Sequence, residues 1–414
     1  MESLNVYLHG VRVGRLTEEN GRMSFAYLPE YERTRSAEPL SHALPVRAET
    51  YAHADVEPFL SNLLPDDIIR TRLGAILQIP RENTFAFLKA IGGDCAGAVA
   101  FFPEGVSPEE DPGNYRQLSD EEAGRILENL ESRPLDVGEE GFRISGSGAQ
   151  DKLIACFSGE GVSLPLNGTP STHIIKNALR DYPDSVENEW FTMRLAAACG
   201  LRVANCEIAV IGGKRRYVTV RYDRKIVEGR TVRLHQEDFC QMLKIDPRRK
   251  YEALGGPGIL DCLSLLRSAS MSARDTLEFL NRVVFNFLVG NGDAHGKNFS
   301  AIYDGRLPTL APAYDLMSTA IYPEVGRRMA MKIDGEYEFR WISRGKFVRM
   351  GEKSGIGAKV MERTVDRMVK TIVREAPRLA RQCARQWPSS CYDRIVAGVL
   401  ARADQLQVEK VMEA

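Results

Sequence analysis

Apolar and polar positions alternate as the chain opens. Leu4, Val6 and Leu8 share one face, His9-Gly10 supplies a turn, and Val11 to Leu16 returns, which predicts a hairpin. Gly92-Gly93 interrupts a helical stretch ahead of an apolar run over 96–102, and 104–114 is rich in proline, glycine and acid residues, as surface connections are. Ser119 with Glu122 reads as a capping box for a helix reaching about Glu131. From 142 to 223 strands dominate. Segments 142–145 and 152–157 flank a glycine-rich turn and read as a glycine-looped hairpin. Thr172 to Lys176 is a short strand, a helix follows over 186–199 with Gly200 at its end, and 206–211 with 217–220 form a hairpin around Gly212-Gly213. Beyond Gln236 the period changes to three and four. Leu277, Leu280, Val284, Phe287 and Leu288 mark a long helix with Asp275 and Glu278 at its cap, and Met361, Val365, Met368 and Ile372 mark another. A sheet-rich half precedes a helix-rich half.

Composition narrows the class. At 414 residues the chain exceeds one ordinary core, and 43% hydrophobic with 27% charged residues is a soluble balance. The net charge of -1 argues against a surface built for polyanions. Eight scattered cysteines without a CxxC pair suggest reduced thiols of a cytoplasmic protein rather than a disulfide framework or zinc site. The first residues lack the pattern of a signal peptide, and no apolar run approaches a membrane span of about 18 residues.

Four clusters could carry chemistry. Ser145-Gly146-Ser147-Gly148-Ala149-Gln150 lies between strands, and small residues let backbone N–H groups approach phosphate oxygens. Taken alone, an ordinary turn fits it as well. Lys176 ends an apolar strand, where it could set a positive charge against nucleotide phosphates, with Glu187 or Glu189 of the next helix orienting it. The most specific cluster is Gly290-Asn291-Gly292-Asp293-Ala294-His295-Gly296-Lys297-Asn298. Phosphate transfer needs a carboxylate for the hydroxyl proton and an amide oxygen nearby for Mg²⁺, and Asp293 and Asn298 have the spacing of a kinase catalytic loop. Asp315 in Tyr314-Asp315-Leu316 could chelate the same ion or cap a helix. These signals occur in the order a kinase requires: glycine loop, strand lysine, helix glutamate, catalytic loop, metal aspartate.

The same residues resemble the HipA-type toxin kinases of bacterial toxin–antitoxin systems. The resemblance runs from Asn62-Leu63-Leu64-Pro65-Asp66 and Gly97-Ala98-Val99 through Arg143-Ile144-Ser145, Gly148-Ala149-Gln150-Asp151-Lys152 and Thr172 to Lys176. It continues with Arg221-Tyr222-Asp223-Arg224, Gln236-Glu237-Asp238, Gly255-Gly256-Pro257-Gly258, the loop 293–298 and Tyr314-Asp315. It implies Asp293 as catalytic base and Asn298 and Asp315 as Mg²⁺ ligands. ATP contacts would come from Ser147, Gly148, Ala149, Lys176, Val220, Tyr222, Asp223, His295 and Lys297, and Ser145 would be an autophosphorylation site. One departure stands out: the family's adenine strand commonly begins with glutamate, and here Val220 takes that place, so only backbone contacts and the Tyr222 ring are expected there. The resemblance further implies growth inhibition and persistence through phosphorylation of a translation component such as an aminoacyl-tRNA synthetase. It also implies a helix-turn-helix antitoxin like HipB, through which operator DNA is reached.

The expected fold is α+β, protein-kinase-like and two-lobed, with an N-terminal mixed subdomain (1–115), a sheet-rich ATP-binding lobe (116–235) and a helical lobe (236–414) carrying the catalytic loop. Two other readings stay open. Asp293, His295 and Asp315 could be the ligands of a metal-dependent phosphohydrolase, or the chain could be a catalytically quiet scaffold, for which Val220 is the best support.

Overall fold

The computed structural model describes residues 1–108, 114–136, 143–148, 150–305 and 307–412, with side chains to 407. The chain divides into two compact units: one made of Met1–Asn177, Ala209–Arg248 and Ser300–Arg306, the other of Ala178–Ile208, Arg249–Phe299 and Leu307–Ala414. Sheets dominate the first and helices the second.

In the first unit, β1 (Glu2–Leu8), β2 (Val11–Glu19) and β3 (Arg22–Tyr27) form an antiparallel meander, and β4 (Val99–Pro103) adds to β1, giving the order β3-β2-β1-β4. Leu4 pairs with Leu16 and Val6 with Gly14, so alternation keeps one face apolar, as the hairpin signature requires. Helices His53–Asn62, Asp67–Leu77 and Thr84–Ile91 follow. A second sheet contains β5 (Tyr115–Gln117), β6 (Lys152–Ser158), β7 (Gly161–Pro165), β8 (His173–Lys176), β9 (Cys206–Ile211) and β10 (Lys214–Val220), ordered β5-β7-β6-β8-β10-β9. Both sheets bury their apolar faces in one core running from Leu4 and Phe25 through Phe87 and Leu127 to Ile175 and Val218. At about 25 cal/mol per Å² of apolar surface, such a shared core dominates the unit's stability. Ser119 and Glu122 form the expected capping box on helix Asp120–Asn129.

The glycine-looped hairpin does not form as expected. Phe142 lies outside the described residues, and Ile144 makes a single parallel bridge to Asp94 rather than pairing with β6, whose partners are β7 and β8. Asp94, fully buried, anchors a knot of charge. Its carboxylate accepts from Arg221, Arg224, Arg233 and the Ser171 hydroxyl, while Asp223 accepts from Arg221 and from the Gly97 amide. Burial alone would raise the Asp94 pKa, but three guanidinium groups outweigh it and hold it below the ordinary carboxylate range.

The second unit is built around helix Ala273–Val289, which buries Phe279, Leu280, Val284, Phe287 and Leu288. Its cap differs from the expected one. Ser272 is the N-cap and Asp275 the third residue of a capping box, whereas Glu278 pairs with Arg282 and accepts from the Arg202 amide. Helix Ala358–Gln386 buries Met361, Val365, Met368 and Ile372, as their spacing predicts, and packs on Ser185–Ala198, Ala273–Val289, Arg344–Lys353 and Cys391–Met412. Among the described residues, no helix is long and apolar enough to cross a membrane.

Candidate active site

The catalytic-loop residues sit in the second unit. Helix Ala273–Val289 ends at Gly290, whose φ of 72° is the left-handed cap that glycine adopts without strain. The loop that follows is fixed atom by atom. The Asn291 side chain accepts from the Asp293 amide at 3.0 Å and donates to Asn286, and the Gly292 amide donates to the Thr319 hydroxyl at 2.8 Å. A Cβ on Gly292 would stand 2.5 Å from the Arg328 carbonyl oxygen, so only glycine passes there. The loop then closes in a single 3₁₀ turn, Gly296–Asn298.

That scaffold presents Asp293 at the surface and buries His295, Lys297 and Asn298. The Asn298 amide nitrogen donates to Asp315 Oδ2 at 3.0 Å, which turns Asn298 Oδ1 the other way. Among the described residues, nothing hydrogen-bonds that buried Oδ1. An uncompensated buried amide oxygen is costly, so an oxygen bare beside a carboxylate fits a hard cation such as Mg²⁺. Asp315 adopts φ 57°, a left-handed conformation that a non-glycine residue holds at a cost met at functional sites. The Tyr314 hydroxyl donates to the Lys297 carbonyl at 2.6 Å and ties the two segments together. Burial lowers the His295 pKa to about 4, so its ring is neutral at pH 7. Asp293, His295 and Asp315 do not gather into a chelate: among the described residues, no three His, Cys, Asp or Glu side chains come together as metal ligands. That removes the geometric basis for the phosphohydrolase reading.

The glycine loop and the strand lysine sit in the first unit. The Ser145 amide donates to the Asp94 carbonyl, and its buried hydroxyl donates to the Leu63 carbonyl at 2.6 Å. Gly148 bridges Pro65, and its carbonyl accepts from the Asp66 amide at 3.1 Å, so the loop docks on segment 63–66. Ser147 offers its carbonyl to the Lys152 ammonium, and Ala149 lies outside the described residues. Gly148 has φ 112°, open only to glycine, and a Cβ there would come 2.7 Å from Lys152 Nζ. Lys176 pairs directly across the ladder with Lys152, and its ammonium lies 5.5 Å from the Tyr217 ring centre. Two buried lysines side by side on one face make a positive patch suited to phosphate oxygens.

Val220 ends β10 opposite His173, its side chain exposed, so its backbone is what it has to offer. The Tyr222 hydroxyl donates to Gln236 Oε1 at 2.7 Å, which fixes the plane of its ring. Both oxygens of Asp223 are engaged by Arg221 and by the Gly97 amide in the buried knot, so its carboxylate braces the strand. Glu187 and Glu189 are both buried in helix Ser185–Ala198.

Three features escaped the sequence reading: Lys152 as a second lysine beside Lys176, the docking of Ser145 and Gly148 on residues 63–66, and the Tyr251 hydroxyl, which donates to Asp293 Oδ1. The first two lay in motifs already visible and Tyr251 in none of them, and nothing local states that such segments meet.

Comparison with known proteins identifies the family. Residues 4–102 match the HipA N-terminal domain and residues 144–376 the HipA-like C-terminal domain. A putative kinase of Sinorhizobium fredii, Y4mE, is 40% identical over 384 residues, covering 91% of each chain. The serine/threonine-protein kinase toxin HipA of Shewanella oneidensis is 33% identical over 351 residues, covering 81% of this chain and 79% of that one. A solved structure of Shewanella oneidensis HipA with HipB and its operator DNA superposes with a TM-score of 0.85 at 27% identity, covering 99% of both chains. The expected α+β, kinase-like fold is thereby borne out.

Proposed function

This chain belongs to the HipA family and is a kinase, and from that premise we propose that it transfers the γ-phosphate of ATP to serine or threonine hydroxyls of a protein. The observation that carries the reading is the Asp293, Asn298 and Asp315 set, with the Asn298 oxygen bare beside the Asp315 carboxylate.

Each residue has a task in this reaction. In the first unit, Lys176 and the backbone amides around Ser147, Gly148 and Ala149 would hold phosphate oxygens; in the second, His295 and Lys297 would be donors to them. Asn298 Oδ1 and Asp315 would hold Mg²⁺, which when bound would supply positive charge to the phosphates. The backbone at Val220 and the ring of Tyr222 receive the adenine. Asp293 orients the acceptor hydroxyl and takes its proton as the new O–P bond forms and the bond to the ADP oxygen breaks. Positioning and electrostatics carry most of the acceleration, with little covalent chemistry for the protein.

Ser145 is proposed as the regulatory phosphosite. Its hydroxyl is held inside by the Leu63 carbonyl and only 2% of the residue is exposed, so the loop has to leave its dock before phosphate can be added. A phosphate of about −1.5 to −2 charge has no room to return there. Ser145→Glu is therefore expected to abolish transfer and to expose the 143–152 segment to protease; full activity in that variant would contradict the proposal.

The biological reading follows the family. We take the chain to be the toxin of a type II toxin–antitoxin pair, acting in the cytoplasm, restrained by a helix-turn-helix antitoxin like HipB and reaching operator DNA through it. The Shewanella assembly supports this, and a net charge of -1 suits DNA contact made by the partner. The proposed substrate is an aminoacyl-tRNA synthetase or another translation component, with growth arrest and persistence as the result. Labelling a cell extract with γ-labelled ATP and the purified kinase tests this: a synthetase is the expected labelled protein, and labelling confined to proteins outside translation would contradict it.

A further inference from the structure

Gly255-Gly256-Pro257-Gly258 and the residues before it have no task in the phosphate-transfer scheme, yet they are mounted against its base. The Tyr251 hydroxyl donates to Asp293 Oδ1. The Tyr251 ring meets His295 edge-on, at 4.9 Å between centres and 88° between planes. One residue earlier, the Lys250 carbonyl accepts from the Gly296 amide at 3.2 Å, so the turn and the catalytic loop are joined at the base and again three residues beyond it.

The glycines explain how that mount is built. The Tyr251 carbonyl accepts from the amides of Leu254 and Gly256, both at 2.9 Å, which folds the chain back on itself. A Cβ on Gly256 would run into the Arg249 carbonyl oxygen and stand 2.8 Å from that of Tyr251. Gly255 takes φ 85°, and the Arg249 guanidinium donates to its carbonyl at 3.1 Å. Glu252 accepts from the Lys332 amide at 2.6 Å and fixes the far side. A turn this constrained sets one tyrosine in one place.

We infer that Tyr251 is a positioning residue for the base, locking the Asp293 carboxylate through Oδ1 so that Oδ2 meets the acceptor hydroxyl. The inference rests on the kinase reading. An aspartate's terminal torsion is broad, and an exposed carboxylate would otherwise sample it freely. One fixed donor selects a single orientation, and a base held in line contributes through geometry.

The full-length chain tests this with γ-labelled ATP, Mg²⁺ and cell extract as acceptor, comparing wild type with Tyr251→Phe, Gly256→Ala, Asp293→Asn and the Tyr251→Phe/Asp293→Asn double variant. Tyr251→Phe keeps the ring on His295 and removes only the donor. The expected result is a maximal rate lower by about ten- to a hundredfold, the value of a hydrogen bond to a charged group, with half-saturating ATP unchanged. Gly256→Ala is expected to show the same split. In the Asp293→Asn background, Tyr251→Phe is expected to cost nothing further, because its effect runs through that carboxylate. A wild-type rate in Tyr251→Phe beside an inactive Asp293→Asn would overturn the inference and leave the kinase reading standing. So would an equal loss of ATP affinity, which marks a general structural defect. An Asp293→Asn variant as active as wild type would remove the base itself, and the inference with it.

Discussion

At the scale of single residues, the account turns on which oxygen is left bare. Asn298 gives its nitrogen to Asp315 and, among the described residues, keeps a buried oxygen without a hydrogen-bond partner, an arrangement that stability alone would disfavour. Replacing Asn298 with alanine is expected to raise the half-saturating Mg²⁺ by at least about ten- to a hundredfold, since losing a direct ligand costs no less than losing an outer-shell partner. Titrating the transfer rate against Mg²⁺ measures it, and an unchanged requirement would remove Asn298 from the metal site. Asp293 and Asn298 could be singled out in the sequence because one short loop carries both, and Asp315, 17 residues beyond Asn298, because of its place in the order of the motifs. Tyr251 was not visible: it lies 42 residues from Asp293, and a tyrosine in a polar turn carries no local sign of its target. The arginine partners of Asp223 were hidden in the same way, since a charged residue carries no local sign of what will surround it.

At the scale of elements, periodicity and capping signals located helices Asp120–Asn129, Ser185–Ala198, Ala273–Val289 and Ala358–Gln386, and strands such as β1, β2 and β8 to β10, because each shows its pattern to its own neighbours in sequence, but they passed over helices such as His53–Asn62, Asp67–Leu77 and Cys391–Met412. Met361, Val365, Met368 and Ile372 are all buried, as a 3.6-residue period demands. The loop at 143–148 was misread because its partners are Asp94 and residues 63–66, and pairing across such separations leaves no periodic trace. The Asp94 knot is what joins that loop to the strand carrying Val220 and Tyr222. Asp94→Asn keeps the shape but leaves buried Arg221 and half-buried Arg224 and Arg233 short of a countercharge, and is expected to cost about 3–5 kcal/mol of stability in chemical denaturation at neutral pH. The sign of its pH dependence follows from the depressed pKa. Its stabilisation is complete above the unfolded value of 3.8 and is lost as pH falls through the lower folded value. The gap between wild type and variant should therefore hold from neutral pH to about 5 and narrow only below about 4. A gap that closed near neutrality would assign the stability to another group.

At the scale of the whole molecule, membership of the HipA family accounts for the order of the motifs, the α+β fold and the kinase activity together. At Val220, where the family commonly has glutamate, β10 ends with its side chain exposed, and Tyr222 beyond it is held by Gln236. The central claim is that Asp293 serves phosphate transfer, and one measurement addresses it directly: incorporation of γ-labelled phosphate from ATP with Mg²⁺ by the purified full-length chain, beside Asp293→Asn at matched folding and ATP binding. The account requires transfer by the wild type, into itself or into extract protein, falling by about 10²–10⁴-fold in the variant, the range of a lost general base. Equal transfer by both proteins, or none from a folded wild type that binds ATP, would contradict it.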